Sequence, residues 1–404
     1  MLSDFRVLDL TDERGFLAGK ILGDLGADVI KVEAPGGDPG RSLGPYLHGR
    51  TGPERSLRWL ALNTSKRGIT LDLDRPEGAE LFRRLAAETD VVLESSAPGT
   101  QAARGLSFES LRADHPGLVG CALTPFGQTG PYAAYAAHDL VVVAMGGNAS
   151  MTGDADRPPV RCSLPTSYYH AGPEAVIGIV MALFAREDSG VGDFVDISLQ
   201  ECQLASLITG AGQYAKTGRL GRRSGGQLGR TREIWPAKDG WISYGLRGGP
   251  ARIPNLRATV EYMDECGAAP DWLRDYDWQS YSPLSASDAD LAQLEEAFGA
   301  FFRGRTMREL YTEALARRIL LAPCNDAREI VEQAQLRARE LYVTLDYPEL
   351  GAAIEHPGFF AKASGGGIRI RGRAPRIGEH NAEVFGAIGV DAGELTRLRS
   401  AGVV

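Results

Sequence analysis

The chain has 404 residues, 43% of them hydrophobic and 24% charged, with a net charge of −8. That length suggests two or three domains, or one elaborated two-domain unit, with ample apolar surface for a core. The acidic balance argues against a general nucleic-acid or membrane surface and leaves room for a local basic pocket that takes a phosphorylated ligand.

The opening residues are charged and lead straight into "FRVLDLT" (5–11), a short strand and not an apolar signal core. "GFLAGKILGDLGADVIKVE" (15–33) reads as an apolar-periodic helix, a stop at Gly26 and the strand "DVIKVE", which makes a strand–helix–strand unit. The pattern returns in "GITLDLD" (68–74), a helix over 76–88 and the strand "DVVLES" (90–95). "LVGCALTPF" (118–126) is a further strand running into the turn "GQTGP". The expectation is a parallel, Rossmann-like α/β sheet with covering helices.

Gly172 and Pro173 predict the start of a helix over 172–186, apolar on nearly every face and so expected to be buried. "FVDISLQECQLASLITGAGQYAKTG" (194–218) adds a strand and a long helix. "GRRSGGQLGRTR" (221–232) breaks the pattern and reads as a mobile loop at a domain boundary. "EIWPAKDGWISYGL" (233–246) reads as two strands about a turn, residues 253–340 as a smaller helical, charged domain, and residues 365–389 as a closing strand and helix. The domains expected are a large α/β domain over 1–220, a small α+β domain over 225–335, and a return to the large domain over 336–404. The five cysteines, Cys121, Cys162, Cys202, Cys266 and Cys324, form no CxxC pair, so neither zinc nor disulfides are indicated and a reducing cytoplasm is expected. No uncharged apolar run is long enough to span a bilayer.

Several short stretches carry chemistry, each beside a plainer reading. "GGDPGR" (36–41) is a phosphate cradle or an ordinary turn, without GxGxxG spacing. Lys66 and Arg67 precede a strand, as phosphate ligands or as a solvated basic turn. His138 and Asp139 head an apolar segment, the first a possible acid or base, the second a helix cap. "SGGQLG" (224–229) is a lid or a linker, and the stretch before Pro173 contains no Asp or Glu between Asp156 and Glu174.

As an ordered set, "VLDLT", "LGDLGADVIKVEAPGGDPGR", "NTSKRGITLDLDRPEG", "FGQTGP", "HDLVVVAMGG", "GVGDFVDISL", "SGGQLG" and "RAPRIGEHNAEVFGAIG" resemble the family III CoA-transferases, the CaiB/BaiF group that includes formyl-CoA transferase and α-methylacyl-CoA racemase. The resemblance spans almost the whole chain. It implies a Rossmann-like large domain, a small domain, and two subunits threaded through each other as an interlocked dimer. It also implies coenzyme A or acyl-CoA as substrate, with no metal. In the family, a carboxylate near the head of the helix corresponding to 172–186 attacks the acyl-CoA, and a mixed anhydride and then an enzyme thioester follow before the acceptor acid is served. The family's "D-x-x-x-G" pattern puts that aspartate at Tyr168, and the racemase branch suggests Ser167; neither is a carboxylate.

Other departures accompany this one. Glu13, beside Arg14, stands where many members carry Gln, and "ESSAPG" replaces "ENFRPG", so that Ser95, Ser96 and Ala97 replace Asn, Phe and Arg. The lysine usual near position 136 is absent. CoA contacts implied by the resemblance are Lys66, Arg67, Leu71, Leu73, Ser95, Ser96 and Arg104, with Gly225, Gly226 and Gln227 as the lid. The arrangement is most like a subunit lacking the catalytic Asp, as in succinyl-CoA:benzylsuccinate CoA-transferase, paired with a paralogous Asp-bearing subunit. The alternatives are a homodimeric acyl-CoA racemase or isomerase using His138, a transferase whose carboxylate is Asp154 or Asp156, and an acyl-CoA-binding protein.

Overall fold

The computed structural model describes residues 1–404, apart from the side chain at position 206. Two compact units are present: Met1–Ala149 with Arg161–Leu220 and Ala338–Val404, and Ser150–Val160 with Gly221–Arg337.

The first unit is built on a six-stranded, all-parallel sheet: β1 (Arg6–Leu10), β2 (Asp28–Glu33), β3 (Lys66–Thr70), β4 (Val91–Glu94), β5 (Val119–Thr124) and β6 (Phe194–Ser198), in the order β3-β2-β1-β4-β5-β6. The central strands are apolar runs because helices cover both faces; Val29, Val91, Leu93, Val119 and Leu123 are all buried. Helix α1 (Phe16–Asp24) follows β1, α2 (Leu57–Leu62) precedes β3, and α3 (Pro76–Ala86) follows it. The short α4 (Thr100–Ala103) and α5 (Phe108–Asp114) lie between β4 and β5, α6 (Asp139–Met145) and α7 (Thr166–Ser189) between β5 and β6, and α8 (Gly210–Thr217) after β6. The strand order reverses direction between β1 and β4, so the loops leaving their C-terminal ends diverge and open a crevice, the usual ligand position in such sheets.

Helix α7 begins at Thr166, earlier than the 172 expected, and carries Pro173 inside it. Ser167 is tied to Asp139 through its backbone N–H and hydroxyl, and Gly172 lies so close to α1 that a Cβ there would sit 3.1 Å from the Leu17 Cβ. These tertiary contacts hold the first turns helical despite the proline. The helix is not buried on all sides either: Ile177, Met181 and Phe184 are exposed on this chain. Near the C-terminus no strand forms over 365–377; that segment instead bonds to the ends of α1 and β3, for example Arg369 N–H to Asp24 O and Ser65 N–H to Gly372 O. Helices α12 (Asn381–Ala387) and α13 (Ala392–Ser400), named here ahead of the elements between, then pack on β3 and the core around Phe385.

The second unit holds a three-stranded antiparallel sheet, β9 (Ile234–Pro236), β10 (Trp241–Tyr244) and β11 (Leu321–Pro323), with helices α9 (Ile253–Glu265), α10 (Asp288–Arg303) and α11 (Met307–Arg317). Its core is aromatic: Trp235, Tyr244, Phe298 and Phe302 are buried together. The expected loop over 221–232 contains a small hairpin, β7 (Gln227–Leu228) with β8 (Thr231–Arg232).

Candidate functional site

Beneath the crevice lies a buried charge cluster that fixes the ends of β1, β2 and β3. Asp9 is fully buried and accepts from the Thr11 N–H at 2.9 Å and from the Lys66 Nζ at 2.8 Å. Lys66 also donates to Asn63 Oδ1 at 2.9 Å and to the Phe16 carbonyl at 3.0 Å. Burial and then the neighbouring Asp9 and Lys31 charges set the Lys66 ammonium, with the net result a pKa lowered to about 8. Gly19 is required beside it, because a Cβ there would meet the Asp9 Oδ2 at 2.2 Å. Lys66 is therefore an internal counter-ion, with all its donors used inside the protein.

The "GGDPGR" stretch is likewise structural: Asp38 caps the turn over Pro39–Ser42, and Arg41 is buried, paired with Glu33 at 2.6 Å and Glu54 at 2.8 Å, and stacked over Trp59. Arg67 is engaged with Asp28 at 2.6 Å and Glu383 at 2.8 Å, outside both cavities described below, and Leu71 is a core residue. In this structure edge-strand pairing and core packing occupy the side chains that spacing alone offers to CoA at these two positions, as at Lys66.

A cavity of about 420 Å³ occupies the crevice. Asp12, Glu13 and Arg14 line it from the loop after β1, Ala97 and Pro98 from the loop after β4, Pro125 from the end of β5, and Ala133–His138 with Val141 from the approach to α6. Tyr168, on the first turn of α7, completes it. The Tyr168 ring is 5% exposed, and its Oη accepts from the Asp139 N–H at 3.2 Å. Burial first, and then the Glu13 carboxylate, push the phenol pKa upward, so it is neutral at pH 7. Asp139 is buried too, accepting from the Ser167 N–H at 3.0 Å and its hydroxyl at 2.8 Å; nothing in the sequence distinguished it from an ordinary cap. His138 is exposed on the cavity wall, one residue before α6.

The polar side of this cavity is internally neutralised. Arg14 grips Asp12 with Nε at 2.8 Å and Nη2 at 2.6 Å, and Ser95, buried after β4, donates to the same carboxylate at 2.9 Å. Burial works to raise the Asp12 pKa, but these bonds outweigh it and the group stays ionised below its usual range. Glu13 pairs with Arg58 at 2.9 Å. Glu174 and His170 lie exposed on α7, with His170 Nδ1 3.3 Å from the Gln203 amide nitrogen. Asp154 and Asp156 belong to the other unit.

A second cavity, of about 630 Å³, lies beyond the same loop after β4. Leu73, Arg75, Pro76, Ala79 and Arg83 line one side, and Thr100, Ala103 and Arg104 the other. Arg104 bonds Asp74 at 2.7 Å, Arg75 bonds Asp72 at 3.1 Å, and Arg83 donates to the Gly105 carbonyl at 2.9 Å. Three guanidinium groups with one leucine make a surface suited to phosphates and a flat base, and surface pairs of this type exchange partners at little cost. Arg75 and Arg83 were missed by sequence reasoning; their spacing from Arg104 carries no signal. Ser96 faces inward and accepts from the Gln101 amide at 2.9 Å. Gly225, Gly226 and Gln227 lie in the second unit, where Gly225 has φ +54° and bonds the Gly153 carbonyl.

No group of three or more His, Cys, Asp or Glu side chains placed to hold a metal occurs among the described residues, and none of the described helices is long and apolar enough to cross a membrane. Residues 2–381 match the model of CoA-transferase family III. The chain is 33% identical, over its whole length and 98% of the relative's, to the succinyl-CoA:(R)-benzylsuccinate CoA-transferase subunit BbsE of Thauera aromatica. It is also 33% identical, over 100% of this chain and 98% of the relative, to the succinyl-CoA–D-citramalate CoA-transferase of Chloroflexus aurantiacus. Among solved structures it resembles a CaiB/BaiF family protein from Brucella suis, with a TM-score of 0.82, 28% identity, and coverage of 95% of this chain and 98% of that one.

Proposed function

The chain belongs to CoA-transferase family III, and we propose that within it this protein is the non-catalytic subunit of a heteromer that moves CoA from an acyl-CoA, such as succinyl-CoA, to a carboxylic acid. One observation carries the reading: a neutral, hydrogen-bonded phenol, Tyr168, closes the cavity where the family resemblance implies a nucleophilic carboxylate. A phenol there needs a base to attack a thioester, and Glu13, the carboxylate beside it in the cavity, is held by Arg58. The partner is a paralogous subunit carrying the aspartate, and its likeness to a protein named as a subunit supports this assembly. The exposed Ile177, Met181 and Phe184 on α7 offer the apolar surface an interlocked pair would cover. CoA, if this subunit retains it, takes the Arg75–Arg83–Arg104 cavity with Leu73 beside the adenine.

The racemase alternative has less to stand on, because inverting a centre needs two opposed proton carriers. His138 is one, and the raised Tyr168 phenol is a poor second. The test incubates the lone chain with succinyl-CoA and then hydroxylamine, with mass spectrometry of every carboxylate. No hydroxamate is expected from the lone chain, and one is expected on the partner in the co-expressed complex. A hydroxamate on this chain overturns the reading. Arg75→Ala with Arg104→Ala should weaken CoA binding about a hundredfold or more, since each charge-assisted bond is worth about 1.5–3 kcal/mol.

A further inference from the structure

The loop after β4 lines both cavities, through Ala97 and Pro98 in the first and Thr100, Ala103 and Arg104 in the second. Its base is a third, small cavity of about 20 Å³, room for one water, walled by apolar side chains such as Phe82, Leu106, Phe108 and Phe194. Apart from the Cys121 thiol, two polar side chains face it. Glu94, the last residue of β4, leaves its Oε2 buried with no partner, and Gln101, on α4, leaves its Oε1 in the same condition. Both atoms are acceptors. Two buried acceptors facing one small apolar cavity are costly unless a hydrogen lies between them.

We propose that Glu94 carries its proton at neutral pH and donates it to Gln101, and that this bond is a positioning device holding the 95–104 loop closed between the two cavities. The surrounding chemistry agrees. Burial raises the carboxyl, and the nearby polar groups of Ser96 and Gln101 and the charge of Arg104 on α4 only partly oppose it. From β5 the facing titratable group is Cys121, itself buried, with its thiol pushed above the ordinary range. No acid or base from α3, α5, β1 or β6 lines this cavity. Ser96 accepts from the Gln101 amide, so the Gln101 oxygen is left to face the carboxyl. The inference concerns the chain's own loop and does not rest on its being a silent subunit or on its binding CoA.

The sign of the pH effect follows from linkage. The unfolded glutamate releases its proton near pH 4.3, roughly, and the folded one later. Between those points the folded state holds more protons, so stability falls as pH rises and levels off once the folded carboxyl ionises. Glu94→Gln keeps the shape, donates an N–H to Gln101 and has nothing to titrate. Urea midpoints of the two proteins, taken from about pH 4 to about pH 9, should therefore diverge with rising pH in favour of the variant. Amide exchange over 95–104, corrected for its intrinsic pH dependence, should accelerate above the same point in the wild type alone. Infrared spectra of wild-type protein labelled with ¹³C-carboxyl glutamate, which separates Glu94 from aspartates, should show a protonated carboxyl band at pH 7; this needs no variant to fold. Parallel midpoint curves, or no such band, overturn the proposal. That is the result expected if Gln101 is turned the other way and its amide donates to an ionised Glu94.

Discussion

Tyr168→Phe separates a wall residue from a reacting one. The substitution removes a single oxygen, which accepts the Asp139 N–H at 3.2 Å. That N–H sits at the first turn of α6, where the helix itself offers no acceptor. The ring and its buried area remain, so no cavity term arises beyond the lost hydroxyl. The cost is that of one buried donor left unmade, about 1–3 kcal/mol, which lowers the melting temperature by a few degrees, about 2–4 °C per kcal/mol at most for a chain this long. On the proposed heteromeric reading, transfer activity of the complex should stay within a few-fold, because the phenol is neutral and its loss does not touch a carboxylate on the other subunit. The assay is steady-state CoA transfer by the heteromer, with size-exclusion chromatography to confirm that the variant still assembles. If the phenol were the nucleophile, its removal would cost orders of magnitude in kcat. A loss above about a hundredfold in an intact complex would therefore refute the assignment of this chain as silent.

Lys66→Met should destabilise the first unit by about 3–5 kcal/mol, read as a lower urea midpoint, because it leaves the Asp9 carboxylate buried with one of its two cationic neighbours removed; the folded fraction should bind CoA as the wild type does. His356, on β13 (Ala352–Pro357), which pairs with β12 (Tyr342–Tyr347), is 3% exposed, with its Nε2 3.2 Å from the Tyr347 hydroxyl, and burial, helped by Lys20, lowers its pKa to about 4. The unfolded imidazole protonates near pH 6.5, roughly, so the unfolded state gains the proton first and stability should fall as pH drops from there towards 4; His356→Gln should flatten that slope in a denaturation series. Gly225→Ala should disturb the 221–232 hairpin, since the residue has φ +54° and the new Cβ would lie 2.1 Å from the Asp154 Oδ1; local proteolysis at this hairpin should rise, and unchanged proteolysis would argue against the strain.

Much of the first unit was legible in the residues themselves. Runs such as "DVIKVE" and "LVGCALTPF" read as strands, and their alternation with helices points to a parallel sheet, which the structure has. The missing carboxylate before Gly172 was legible as well, because an absence of Asp and Glu needs no coordinates. Tertiary structure alone decided how the charges are used. Lys66 looked like a free cation on a turn and is the internal partner of Asp9, 57 residues away; Arg75 and Arg83 drew no notice in the sequence and share a cavity with Arg104. The start of α7 at Thr166 depends on Asp139, 28 residues upstream of Ser167, and the demands of Glu94 and Gln101 on one another arise only because a loop folds them onto one void. Periodicity records which side chains leave water, since burial acts on every residue of a face; a hydrogen bond or ion pair acts within about 3 Å, and only the folded chain sets which distant groups come that close.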